Sequence, residues 1–366
     1  MRKWFIILSC SFLLIACGRN VKEPVVIPVI NPSEYQVSLL MVGDALIHMN
    51  VMKSATESDG SLDFTDALQF IKPIVKNYDL AFYNQESPIA GDKWPLAGYP
   101  VFNTPRLFPD TMIDMGFNMV NLANNHTLDM GVEGALNSLE YFKSKNVYIS
   151  GSYSSQADQD QIRTFEKNNI TFAFLSYAYS SNNKSLNSSN QYLLNLYEKE
   201  KAEADIAKYK GLVDFVIVSL HAGAENSFDE SYQAEWVKVI ADAGADLIIG
   251  HHVHVVQPIQ YIGDTLVFNS LGNFISSQLE EKLLVELIAS LDFIKYVEGD
   301  NITTSIENVK IDLMYDYYNH DFTELRVYPL KDIPIDLLPN KAALYTKYMK
   351  IVNKYNIDLT IGGIFD

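Results

Sequence analysis

Three histidines, His251, His252 and His254, come just after the apolar run Leu247-Ile248-Ile249 and Gly250. The run reads as a buried strand, and packing cannot account for imidazoles crowded at its end. Neutral imidazole is, however, the commonest side-chain ligand for metals. His252 and His254 flank one residue, so an extended backbone is expected to aim both the same way. Other histidines sit in similar places. His126 follows Met119-Val120-Asn121-Leu122, His221 follows the run Phe215 to Leu220, and His48 comes shortly after Leu39 to Asp44. The repeated pattern is a strand that ends in a polar ligand. In open α/β sheets, ligands gather at such carboxyl ends of strands.

The N-terminus reads as a targeting segment. Arg2 and Lys3 precede an apolar stretch, Trp4 to Ala16, too short for a stable bilayer span. Leu14-Ile15-Ala16-Cys17-Gly18 resembles a bacterial lipoprotein lipobox, which implies a signal peptide over 1–16 and lipid on Cys17. Pro24, Pro28 and Pro32 then mark an extended tether over 17–36. The expected location is the extracytoplasmic face of a membrane in the bacterial envelope. Cys10 leaves with the signal, so no thiol remains for a disulfide and stability must come from a core, to which a metal can add. The net charge of −17 argues against binding a nucleic-acid backbone, and against docking on anionic lipid by charge alone.

From about Tyr35, strand-like and helix-like segments alternate. Strands are expected at Val37 to Val42, Leu80 to Tyr83, Asn118 to Leu122, Val147 to Ile149, Ile170 to Tyr177, Phe215 to Leu220 and Leu247 to Ile249. Helices are expected at Asp63 to Asn77, Leu107 to Met115, Gly131 to Lys143, Leu193 to Tyr209 and Tyr232 to Ala243. The first of these carries Leu68, Ile71 and Val75 on one face, with Pro73 inside it. Ile259 to Ile262 and Thr265 to Asn269 read as a hairpin around Gly263-Asp264. The reading is one α/β domain over 37–275. A β-rich extension with a C-terminal helix, Lys341 to Lys354, follows over 276–366.

Five expected strands end in groups able to hold a metal or a phosphate. These ends are Gly43-Asp44, Asn84-Gln85-Glu86, Asn124-Asn125-His126, His221 to Glu225 and Gly250 to His254. A sixth, Asn269 to Phe274, ends in small and amide residues. Each alone reads as a cap or turn former. Five in order along an α/β pattern do not. Carboxylates and imidazoles without thiolate favour manganese, iron or zinc.

The ordered set Gly43-Asp44, Asn84-x-Glu86, Asn121-x-Ala123-Asn124-Asn125-His126-x-x-Asp129-x-Gly131, His221-x-Gly223-x-Glu225, Gly250-His251-His252-x-His254 and Ser270 to Phe274 resembles the CapA family. Those proteins are associated with bacterial poly-γ-glutamate capsule synthesis and export and are related to calcineurin-like metallophosphoesterases. The resemblance covers about Val37 to Ile275 and implies a β-sandwich flanked by helices. It implies that Asp44 and His254 bind one metal, that Asn125, His221 and His252 bind a second, and that Glu86 bridges them. By the same resemblance His126, oriented by Asp129, contacts a substrate oxygen or protonates a leaving group. His251 stands behind the ligands, and His48, Asn84, Asn124, Glu225 and Asn273 are supporting or substrate-contacting positions. Leu46 stands where the phosphoesterases carry a further histidine. The first metal is thus left with Asp44, Glu86 and His254 unless His48 swings in, and both one and two ions stay open. Val253 and Gln85 replace the family's usual proline and leucine without removing a ligand.

Two function classes follow. One is a lipid-anchored, metal-dependent hydrolase-type protein acting on a phosphoester or anionic polymer linkage in capsule synthesis or export. The other is a non-catalytic accessory subunit beside a capsule synthase or export protein. A third class, a polysaccharide-binding or adhesive surface protein, is suggested only by abundant Tyr and Asn; Tyr315, Tyr317 and Tyr318 could stack on sugars, but alternate aromatics in a strand more often pack.

Overall fold

The computed structural model describes residues 32–182 and 186–365. The expected signal peptide, Cys17 and most of the expected tether lie outside the described residues. The strands of the first half are β1 (Ser33–Ala45), β2 (Leu80–Gln85), β3 (Met119–Asn121), β4 (Tyr148–Ser150), β5 (Phe165–Lys167) and β6 (Ile170–Ala178). The second half adds β7 (Phe215–His221), β8 (Leu247–His251), β9 (Ile259–Ile262), β10 (Thr265–Phe268) and β11 (Asn273–Ile275). The last strands are β12 (Val285–Glu298), β13 (Asn301–Tyr318), β14 (Leu325–Pro329) and β15 (Thr360–Ile361). The helices are α1 (Met49–Ser54), α2 (Lys72–Val75), α3 (Leu107–Met115), α4 (Gly131–Lys143), α5 (Gln156–Gln159), α6 (Lys199–Lys210), α7 (Ala234–Ala243) and α8 (Lys341–Val352).

Two mixed sheets are stacked. The first runs β14-β13-β12-β1-β2-β3-β4, with β11 beside β1 and β15 beside β13; the second runs β5-β6-β7-β8-β10-β9. Side-chain alternation in β1 shows how the layers form. Val37, Leu39 and Met41 point into the core shared with Phe172, Ile217 and Ile249 of the second sheet. Leu40 and Val42 point the other way, onto Phe108 and Met112 of α3 and Leu139 of α4. On the outer face of the second sheet, Val216, Val218 and Ile248 meet Ile206 of α6 and Ile240 of α7. The result is the expected sandwich of sheets flanked by helices.

The expected bounds need three corrections. Ser33 to Gln36, the end of the expected tether, belong to β1, because β12 is long enough to pair with them from Ile294 to Val297. Asp63 to Asn77 is not one helix. Asp63 Oδ1 accepts the Thr65 N–H at 2.7 Å and starts a series of tight turns. A helix forms only at α2, with Pro73 in its first turn, where a missing N–H is tolerated. The segment from Leu193 is pinned before it can coil. Asn195 Nδ2 donates to Ser176 O at 2.8 Å, and α6 starts at Lys199. The β-rich continuation after Ile275 forms β12 to β14, and β12 pairs antiparallel with β1 from Ser33 to Met41.

Candidate metal centre

Asp44 reaches the edge of the first sheet because β1 and β11 come unusually close. A Cβ on Gly43 would lie 2.0 Å from Gly272 O, so only glycine fits there. Gly250 does the same in β8, where a Cβ would lie 2.0 Å from Asn269 O. Beside Asp44, β2 ends in Asn84 and Glu86, and β3 leads into Asn124, Asn125 and His126. From the second sheet, β7 ends in His221 and β8 in His251.

These ends meet around Glu86. Asp44, Glu86 and His254 form one buried triad and Glu86, His221 and His252 another, with ligand atoms within 4.8 Å of one another in each. Glu86 Oε1 lies 3.6 Å from His221 Nε2 and 3.7 Å from His254 Nε2. Asn125 Oδ1 lies 2.8 Å from His221 Nε2 and so joins the second group. His254 Nδ1 lies 3.2 Å from Asp44 Oδ2.

Glu86 gives the clearest sign that a cation belongs here. It is fully buried, and neither carboxylate oxygen has a hydrogen-bond partner among the described residues. A buried carboxylate in that state is tolerated only with a proton or a cation. The donors fit: oxygen and imidazole nitrogen converge, with no thiolate. The two triads could hold metal ions.

The electrostatics agree. Burial pushes the Glu86 carboxyl well above its ordinary range, and Asp44 adds to that rise. Burial opposes charge on His254, yet Glu86 and Asp44 outweigh it and bring the imidazole up to about 9. His252 is driven down to about 3, first by burial and then by His254. Burial would raise Asp44, but hydrogen bonds from His251 and His254 hold it well below the ordinary value.

His252 and His254 converge by a different route from the one expected. Their backbone is not extended: φ is +90° at His252 and +60° at His254, in the left-handed region. Such positions cost about 1–3 kcal/mol each and persist where the surroundings demand them. Here His252 N–H donates to Asp44 Oδ2 at 3.2 Å. His254 is held by Asn273 Oδ1, 3.1 Å from its Nδ1. Asn273 Nδ2 donates to Leu283 O and Gln278 Oε1, so the amide oxygen must face His254. That favours a proton on His254 Nδ1 and leaves Nε2 for the centre.

The remaining expected residues take several places. His251 Nδ1 lies 3.1 Å from Asp44 Oδ1, outside both triads. Asn124 holds the loop, donating to Gln85 O and accepting the His126 N–H. His126 Nδ1 lies 2.8 Å from Asp129 Oδ2, which also accepts the Phe102 N–H at 2.8 Å. Glu225 stands at the rim, its Oε1 3.9 Å from His252 Nε2. His48 joins neither triad. Its Nδ1 is pinned 2.9 Å from Leu46 O and 3.3 Å from Ser277 N, and its ring meets Phe102 edge-on. Sequence reasoning missed Phe102, wedged between the His48 and His126 rings, and Tyr179, whose ring lies 4.7 Å from that of His252. Phe102 sits in a loop with no periodic signal.

The profile described as "Bacterial capsule synthesis protein PGA_cap" matches residues 38–278. The chain belongs to this family. The PGA_cap span holds every residue of both triads, together with His126, Asp129, Glu225 and Asn273. The chain is 31% identical over 250 residues to the PGA biosynthesis protein CapA of Bacillus subtilis (strain 168), covering 67% of this chain and 65% of that protein. It is 28% identical over 282 residues to the capsule biosynthesis protein CapA of Bacillus anthracis, covering 73% of this chain and 66% of that protein. The chain thus spans just under two thirds of the length of these two relatives. Among solved structures, the GAP50 anchor in the inner membrane complex of Plasmodium aligns with a TM-score of 0.37 and 15% identity, over 75% of this chain and 89% of that one. TT1561 of Thermus thermophilus aligns with a TM-score of 0.38 and 8% identity, over 74% of this chain and 98% of that one.

Proposed function

We propose that this PGA_cap protein works in the synthesis or export of capsule polymer, poly-γ-glutamate or a related chain. In this reading it is held at the extracytoplasmic face of the bacterial envelope by lipid on Cys17. It carries a metal-dependent hydrolase-type site for a phosphoester or polymer linkage. The observation that carries the proposal is Glu86, a buried carboxylate without a partner at the point where two ligand triads meet. Manganese, iron or zinc suits the donor set.

Asp44 and His254 would hold one ion, Asn125, His221 and His252 the other, with Glu86 between them. Bound divalent ions would neutralise and polarise a substrate oxyanion. The protein's own proton chemistry falls to His126. Asp129 fixes its Nδ1 and orients the ring, so Nε2 can donate a proton to a leaving oxygen.

The test is metal content and hydrolysis of bis(p-nitrophenyl) phosphate by the full chain with manganese or zinc. His252→Ala should lose metal. His126→Ala should keep it and lose turnover by ~10²–10⁴-fold. Metal-loaded protein that never hydrolyses a phosphoester removes the hydrolase reading. Leu46 favours the alternative, an accessory subunit beside a capsule synthase or export protein. It is a buried leucine where a further ligand would complete the first triad. Full capsule production by cells carrying His126→Ala would decide for that alternative. Release of Cys17→Ser from the membrane fraction tests the anchor.

A further inference from the structure

A cavity of about 390 Å³ opens where β4 of the first sheet meets β6 of the second, and it shares no lining residue with either triad. One wall is a face of α6, where Lys201, Asp205, Lys208 and Tyr209 recur at helical spacing. The other is the stretch from Gln159 to Arg163. The walls are tied together. Arg163 N–H donates to Tyr209 Oη at 2.9 Å, Lys208 Nζ to Asp160 O at 3.3 Å and Gln159 Nε2 to Asn195 Oδ1 at 2.9 Å. Tyr209 and Asn195 are buried, so these ties lie within the fold and the cavity is formed before a ligand arrives.

The charges of the cavity are unevenly engaged. Lys201 pairs with Asp205 at 2.5 Å, and the Tyr177 hydroxyl also donates to Asp205, at 3.1 Å. Asp160 Oδ1 accepts an N–H of Gln156 at 2.8 Å. Arg163 Nη2 is bound to Asp158, and the guanidinium carbon lies 5.3 Å from the centre of the Tyr153 ring. The guanidinium is thereby fixed, while its Nη1 makes only a long contact, 3.5 Å, with Gln161 O and can take a better oxygen. Lys208 brings an ammonium that rests on a carbonyl rather than a carboxylate. The carboxamide of Gln161 lines the same space.

Cations beside a carboxamide complement a chain in which carboxylates alternate with amide bonds. We propose that this cavity is a second binding site, holding one carboxylate-bearing unit of a γ-linked glutamyl chain through Arg163 and Lys208, with Gln161 on a flanking amide. The proposal rests on the polymer reading above. A protein with a net charge of −17 keeps a polyanion on its surface through such local cations. A hold away from the metal centre raises the effective concentration of the chain without a new contact at the triads.

The test is calorimetric titration of the manganese-loaded full chain with tri-γ-glutamate, and with inorganic phosphate for comparison. The peptide should bind more tightly, because it alone offers an amide to Gln161. Lys208 is exposed, so its substitution leaves the fold intact. Lys208→Gln should weaken the peptide about two- to fivefold, the size of one exposed ion pair, and Lys208→Glu should weaken it further. Arg163→Lys keeps the charge, loses the planar fork and should also bind less; its melting temperature is measured alongside, because Arg163 holds Asp158 as well. His252→Ala should bind the peptide as wild type does, since the cavity and the triads are separate. Peptide binding that disappears with the metal, or that ignores Lys208→Glu, overturns the inference and leaves the polymer reading standing. Phosphate that binds as tightly as the peptide, or a wild type that binds no peptide, overturns it too. The polymer reading itself fails if cells lacking the protein still make a full γ-glutamyl capsule.

Discussion

Glu286 of β12 and Asp316 of β13 meet carboxyl to carboxyl in the interior, both fully buried. Ser276 N–H donates to Asp316 Oδ2 at 2.9 Å, while Asp316 Oδ1 and both Glu286 oxygens have no donor among the described residues. Two adjacent buried carboxylates cannot both ionise cheaply. Burial raises Asp316 to about 7, and burial together with Asp316 raises Glu286 well above its ordinary value.

The sign of the pH dependence follows. An unfolded carboxyl loses its proton near pH 4, whereas folded Asp316 keeps its proton to about 7. Over that window the unfolded state binds fewer protons, so stability falls as pH rises from about 4 through 7, and Glu286 extends the fall upwards. Glu286→Gln supplies an N–H donor and should flatten the fall, making the variant more stable than wild type at pH 8. Urea denaturation at pH 5, 7 and 8 measures this. Parallel pH profiles for the two proteins would show that the pair carries no such load.

Glu86 allows a prediction about metal removal. Chelator-treated wild type should melt below the manganese- or zinc-loaded protein, because the cation is what compensates the orphan carboxylate. Glu86→Gln should show no response to chelator. It should be more stable than stripped wild type, because a neutral amide costs less to bury than a carboxylate. Differential scanning calorimetry with and without chelator is the measurement. A chelator response in Glu86→Gln equal to that of wild type would contradict it.

Asn84 should matter for metal without being a ligand. Asp44, Asn84 and Asn121 are partners across three adjacent strands. Asn84 donates to Asp44 Oδ1 at 2.7 Å and accepts from Asn121 Nδ2 at 2.8 Å. Asn84→Ala frees the Asp44 carboxylate to turn, and metal affinity should fall by ~10–100-fold, the usual effect of losing a residue that orients a ligand. Competition against a metal-sensitive dye reads this directly; unchanged affinity would mean that Asp44 is held by its histidines alone.

Much of the site was legible because its chemistry is concentrated at strand ends, and apolar runs that stop at polar residues are visible in one sequence. The α3 and α4 helices fell where their periodicity put them. Between Asp63 and Asn77 periodicity was right about burial and wrong about backbone: Leu68, Ile71 and Val75 are all buried, yet most of that stretch is turns. Alternating burial does not record which hydrogen bonds the backbone makes. His252 and His254 show the same limit, since their left-handed backbone is imposed by Asp44 and Asn273, which are distant in sequence. The short β11 left no periodic trace, yet it sets Asn273 beside His254.

The long pairing of β1 with β12 bears on where this protein can be cut. The family match ends at residue 278, and β12 begins at Val285. A chain trimmed to the matched span would contain every ligand and still lack the strand that covers one side of β1. Leu287, Leu291 and Phe293 would leave the core with it. The strand that delivers Asp44 would become an open edge, ready to pair with another molecule. The matched span is therefore smaller than the unit that folds, and about the last quarter of the chain is a structural dependency of the site rather than an appendage to it.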